Sequence, residues 1–122
     1  MGIIEEKISV QQNKLKGYSG KKFAKRWQKF SFIEQMANIG SEVFRMLKWR
    51  GKDDRNSTLA FDRALELIDL TLTDPKNKIR FKEIARVREM LVDYTFDNEY
   101  KTTDKYLNNY FYSFNYAARL GH

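Results

Sequence analysis

The sequence predicts an all-α protein, an antiparallel up-and-down four-helix bundle led by a basic N-terminal arm. Three observations predict it. Apolar residues recur at three- and four-residue spacing through four separate stretches. No segment alternates apolar and polar residues for long enough to make a sheet. The positive charge is gathered ahead of the first stretch: residues 1–30 hold eight basic side chains against two acidic ones, while residues 31–122 hold fifteen against fourteen. At 122 residues the chain supplies one hydrophobic core. It therefore divides into a basic N-terminal arm, 1–30, and a helical bundle domain, 31–122.

Within the arm, Ile3, Ile4, Ile8 and Val10 suit a short strand or a helical turn, and Gly17 and Gly20 bracket a joint. Ser31 and Glu34 fit a capping box, in which each side chain accepts the other residue's amide. Ile33, Met36, Ala37, Gly40, Val43, Phe44 and Leu47 then line one helix face, and Gly51 supplies a left-handed stop. Asp53, Asp54, Asn56 and Ser57 offer caps for a second helix with Phe61, Ala64, Leu65, Ile68 and Leu72 inward. Asp74-Pro75 ends it, because proline disfavours helical geometry in the residue before it. A third helix is expected from about Asn77, with Phe81, Ile84, Val87, Leu91 and Tyr94 on its inner face. Residues 97–101 read as a polar loop. Thr102 or Thr103 caps a fourth helix carrying Tyr106, Leu107, Tyr110, Phe111, Phe114 and Ala118.

Composition excludes several chemistries. The chain has no cysteine, so there is no disulfide framework, thiolate zinc site or cysteine nucleophile. Its single histidine is His122, which argues against histidine acid–base catalysis and His-rich metal sites. Asp62, Glu66 and Asp69 share helical spacing, but a di-iron bundle needs Glu-x-x-His pairs and none exists. These acids are expected to be solvated, or paired with Arg63 and cations of neighbouring helices. There is no glycine-rich phosphate loop. No cofactor and no metal site are expected. No apolar run approaches the roughly 20 residues that span a bilayer, and the opening residues lack a signal-peptide core. The expectation is a cytoplasmic protein without a membrane partner.

Cations carry the functional reading. Lys21, Lys22, Lys25, Arg26 and Lys29 crowd the arm, with Trp27 among them. A second cluster, Lys76, Lys78, Arg80, Lys82, Arg86 and Arg88, faces Glu83 alone in its stretch, and a third runs from Arg45 to Arg55. Lysines and arginines gain affinity for nucleic acid by displacing counterions, and aromatics among them suit base stacking. Trp27 is the expected stacking residue. Half of the aromatic residues lie between Tyr94 and Tyr116. Tyr110, Phe111 and Tyr112 are consecutive and cannot all face one core, so Tyr106, Tyr110, Tyr112 and Tyr116 are expected to include a partner surface.

Two family resemblances add to this. Arg88-Glu89-Met90-Leu91-Val92-Asp93-Tyr94 resembles the motif of HEPN domains, helical bundles that are often RNases in toxin systems and carry an arginine followed, after a short spacer, by histidine. Arg88 matches the arginine and Asp93 stands in the histidine's place. Aspartate does not supply proton exchange near neutral pH, so the resemblance implies an inactive relative. Ala37-Asn38-Ile39-Gly40 with Glu42 is similar to the Ala-Asn-Ile-Ala-Glu stretch of a small bacterial four-helix-bundle class. That class includes the 23S rRNA intervening-sequence protein and the accessory variability protein of diversity-generating retroelements. The resemblance implies a non-enzymatic accessory protein that assembles as a homo-oligomeric ring and binds nucleic acid together with a reverse transcriptase.

The leading expectation is thus a non-catalytic protein that binds RNA or DNA through phosphates, with little sequence preference. The alternatives are a protein–protein adaptor or antitoxin-like bundle, and a divergent RNase using Arg88 and Asp93.

Overall fold

Five α-helices and one 3-10 helix make up the regular structure of residues 20–121, the part of the chain that the computed structural model describes. They are α1 (Lys21–Gln28), α2 (Phe32–Trp49), α3 (Asp54–Leu72), the 3-10 helix (Pro75–Arg80), α4 (Phe81–Phe96) and α5 (Asp104–Arg119). Among the described residues there is no strand. Residues 1–19, the greater part of the expected arm, lie outside the described residues, as does His122.

Local chemistry sets the helix ends. At the start of α2 the Glu34 amide donates to Ser31 Oγ at 3.1 Å and the Ser31 amide donates to Glu34 Oε1 at 2.9 Å. This reciprocal pair satisfies two amides that helix geometry leaves without partners. Past α2, Gly51 takes a φ of +79°, which a residue lacking Cβ adopts without strain. The Asp53 carboxylate then accepts from the Asn56 amide at 3.1 Å and opens α3. Thr103 does the same for α5 by accepting from the Tyr106 amide at 3.1 Å.

The segment after Pro75 departs from the sequence expectation. Rather than an α-helix from Asn77, six residues form a 3-10 helix, and α geometry begins at Phe81. Asn77 explains the difference. Its side chain is drawn inward, donating to Gln35 Oε1 at 2.8 Å and to the Thr71 carbonyl at 3.0 Å. A tighter helix holds Asn77 there. The phase shift turns Phe81 outward, 52% exposed, where an inner-face position was expected.

The core draws on every α-helix. Met36, Ile39, Val43 and Met46 of α2 meet Phe61, Ala64, Leu65 and Ile68 of α3, with Ile84 and Leu91 of α4 and Leu107 and Phe111 of α5. Helix α2 packs most extensively against α3 and α5, and α4 lies against α3. Gly40 permits the α2–α5 contact: a Cβ there would sit 2.8 Å from Phe111 Cβ.

Two expectations change. Residues 21–28, placed in an arm, form a helix that packs on α3, with Trp27 only 3% exposed in the core. Of the acids expected to be solvated or paired, Asp62 and Glu66 are buried on α3, which leaves out the solvated alternative for them. Asp69 is ion-paired with Arg88, Nε to Oδ1 at 2.7 Å. Among the described residues no helix is long and apolar enough to cross a membrane.

Candidate nucleic-acid interface

The spacing of α1 separates two faces. Phe23 and Trp27 lie one turn apart and stack at 6.1 Å between centroids, and Phe30 meets Trp27 edge-on at 5.7 Å. Lys22, Lys25, Arg26 and Lys29 recur at three- and four-residue intervals on another face. All four, and Lys21, are exposed. Among the described residues none of the five is ion-paired with a carboxylate. The Arg26 guanidinium lies 5.7 Å from the Phe23 ring centroid, which holds it beside the lysines.

A buried polar network fixes α1 in place. Trp27 Nε1–H donates to Thr71 Oγ1 at 3.0 Å, and Gln35 Nε2 donates both to the Trp27 carbonyl at 3.0 Å and to Asp74 Oδ2 at 2.8 Å. Lys76 Nζ is ion-paired with Asp74 and donates to the Gln28 carbonyl at 2.9 Å. Burial alone would raise the Asp74 carboxyl. Hydrogen bonds from Lys76 and Gln35 outweigh it and hold the group below its ordinary value, so it is a carboxylate at neutral pH. The bond from Lys76 to Gln28 carries the consequence for function. It joins the end of α1 to the start of the 3-10 helix, so two cationic clusters far apart in sequence adjoin.

The second cluster divides along its elements. Lys78 and Arg80 project from the 3-10 helix, both exposed, and the Arg80 guanidinium stacks on Phe32 at 4.7 Å. Lys82 and Arg86, one turn apart on α4, are exposed on a shared face. Arg88 lies two residues past Arg86, about 200° around the helix. It faces α3 instead and is neutralised by Asp69. Of the expected nucleic-acid contacts, Arg88 is therefore committed to the fold, and so is Trp27, the expected stacking residue. Its ring is covered and its N–H is taken, which corrects the expectation that it offers a stacking surface.

Asp93 is likewise engaged, accepting from the amides of Glu99 at 2.9 Å and Tyr100 at 3.1 Å. Arg88 and Asp93 therefore have separate structural partners.

On α5, Tyr106, Tyr112 and Tyr116 each expose about half of their surface. Tyr110 differs. Its ring packs edge-on against Phe111 and Phe114, and its hydroxyl donates to Glu83 Oε2 at 2.9 Å, tying α5 to α4. Burial and that carboxylate push its phenol well above the ordinary value. Tyr110 is accordingly a packing residue and not a free partner contact.

A cleft of about 620 Å³ opens where α4, the loop 97–103 and the first turn of α5 converge. Its Tyr100 and Lys101 had no sequence signal, because a loop position reads only as polar until the fold assembles it. Among the described residues no cluster of three or more His, Asp or Glu gathers as a metal site. Comparison of the chain with protein-family models, curated proteins and solved structures finds no match.

Proposed function

We propose that this protein is a non-catalytic accessory protein that binds RNA or DNA through phosphate contacts. The single observation that carries this reading is the run of cations from Lys21 to Lys29, without carboxylate partners among the described residues, joined by Lys76 to Lys78, Arg80, Lys82 and Arg86. Lysines and arginines arranged over adjoining elements favour a polyanion over a single anion. In this reading α2–α5 form an antiparallel up-and-down bundle, and the basic leading segment works together with it. A homo-oligomer, and a nucleic-acid-processing partner such as a reverse transcriptase, belong to the same proposal.

The test is a salt titration. Affinity for a generic single-stranded RNA should fall steeply between about 50 and 200 mM salt, with a log–log slope near −3 for four or five phosphate contacts. A flat response, or no binding at low salt, overturns the reading.

A second reading rests on Tyr112 and Tyr116, exposed one turn apart on α5, with the Arg119 guanidinium 5.8 Å from the Tyr112 ring. They suit a protein-docking surface, in which aromatic and arginine side chains dominate binding. If α5 docks on a protein, Tyr112→Ala abolishes that association and leaves RNA affinity unchanged.

A further inference from the structure

We infer that the cleft between α4 and α5 seats an unpaired nucleotide of a bound single strand, taking the base against tyrosine and the phosphate on Arg86 and Lys101. The inference rests on the nucleic-acid-binding reading and names the substrate class that reading leaves open.

The cleft has the size of a small-ligand site, about 620 Å³. Its wall on α4 is Arg86, Glu89 and Met90, which share a face at three- and four-residue spacing. Tyr100 and Lys101 come from the loop, and Tyr106 from the first turn of α5. Two phenol rings that are each half exposed or more, 59% for Tyr100 and 50% for Tyr106, thus border one concavity together with a thioether and two cations. Aromatic rings accept any base by stacking, and adjacent cations take its phosphate. The one carboxylate in the lining, Glu89, accepts the Tyr100 hydroxyl and keeps its charge, and Arg86 and Lys101 outnumber it among the lining residues.

The loop is built rather than slack. Asp93 holds the amides of Glu99 and Tyr100. The Asn98 side chain accepts from the Thr102 amide at 2.8 Å and donates to its carbonyl at 3.0 Å. Asn98 and Lys101 take φ values of +48° and +55°. Left-handed geometry is uncommon for a long side chain such as lysine and persists only where surrounding bonds enforce it. Here it sets Lys101 at the rim of the cleft.

The cleft also continues the basic track. Lys82 and Arg86 occupy one face of α4, so a strand followed along Lys78 and Lys82 reaches Arg86 and enters the concavity. A duplex has its bases stacked and paired, and offers only phosphates to such a track.

The experiment is fluorescence anisotropy on the full chain with a labelled single-stranded oligonucleotide, a blunt duplex of the same sequence, and free AMP. Wild type should prefer the single strand. Tyr106→Ala should weaken single-strand binding at least about fivefold, the low end for loss of one stacked base, with the salt slope and duplex affinity unchanged. Tyr106→Phe, which keeps the ring, should bind as wild type. Arg86→Gln, an exposed substitution that leaves Tyr106 in place, should lower affinity and flatten the single-strand salt slope by about 0.7. Salt-sensitive binding indifferent to Tyr106 and Arg86 overturns the cleft proposal alone. So does AMP binding as tightly as the strand. Absence of binding to either nucleic acid at low salt removes the functional reading, and the cleft proposal with it.

Discussion

At Gly40 the absence of one methyl group decides how closely α2 and α5 approach. A Cβ there would meet Phe111 Cβ at 2.8 Å, and Phe111 is itself fully buried, so neither side has room to yield. Gly40→Ala should lower stability by about 1–3 kcal/mol, the usual cost of overpacking, measured as a shift in the denaturant midpoint. An unchanged midpoint would show that the helices part at no cost. Tyr94 makes a prediction in pH. Burial, with the hydrogen bond its hydroxyl donates to Asp104, pushes the phenol from 10.0 to about 12, against the opposing effect of Arg50 stacked on its ring at 4.3 Å. Folding therefore favours the protonated phenol. Its contribution is complete below pH 10 and is lost as pH rises from 10 to about 12. Stability should decline across that window, and less so in Tyr94→Phe. Parallel declines in the two proteins would contradict the assignment.

At the scale of the element, α1 shows what can and cannot be read from a sequence. The cap of α2 was legible because Ser31 and Glu34 make a local, reciprocal contact, and Gly51 because a left-handed stop needs only a residue without Cβ; the cap of α5 was legible to within two residues, Thr102 or Thr103, of which Thr103 caps. Trp27 was not. Its helix spans only two turns, its apolar residues stand among lysines, and charge dominates any window that contains them. The partner of its indole N–H is Thr71, 44 residues further along the chain. Arg86 and Arg88 looked equivalent in a basic cluster, yet two residues on a helix point in nearly opposite directions. The cleft was invisible because Tyr100, Lys101 and Arg86 converge only through the tertiary fold. The two faces of α1 now predict opposite phenotypes. Trp27→Ala should cost about 3–5 kcal/mol of stability, read from a denaturant melt. Replacing Lys22, Lys25 and Lys29 with glutamine should leave that melt nearly unchanged and weaken RNA binding. If the lysine variant melts early while its affinity is unaltered, α1 is a packing element without a ligand.

At the scale of the whole molecule, core and charge are separate. The buried side chains knit five helices together. The charged ends of the lysines of α1, of Lys78 and of Lys82 and Arg86 on α4 are exposed and, among the described residues, have no carboxylate partner, while Arg26 and Arg80 lie over the Phe23 and Phe32 rings at the core's edge. The two clusters are joined through Asp74, Lys76 and Gln28 at the junction of α1 with the 3-10 helix. A surface held this way favours phosphate regardless of sequence, because contacts to the backbone position a strand without reading it. The most direct test of that surface is the salt dependence of affinity for single-stranded RNA, compared between wild type and the triple variant at Lys22, Lys25 and Lys29. Wild type should show a log–log slope near −3, and the variant a slope shallower by about 2, since each lost phosphate contact removes about 0.7. Equal slopes in the two proteins, or a wild-type affinity indifferent to salt, would contradict phosphate binding by these lysines.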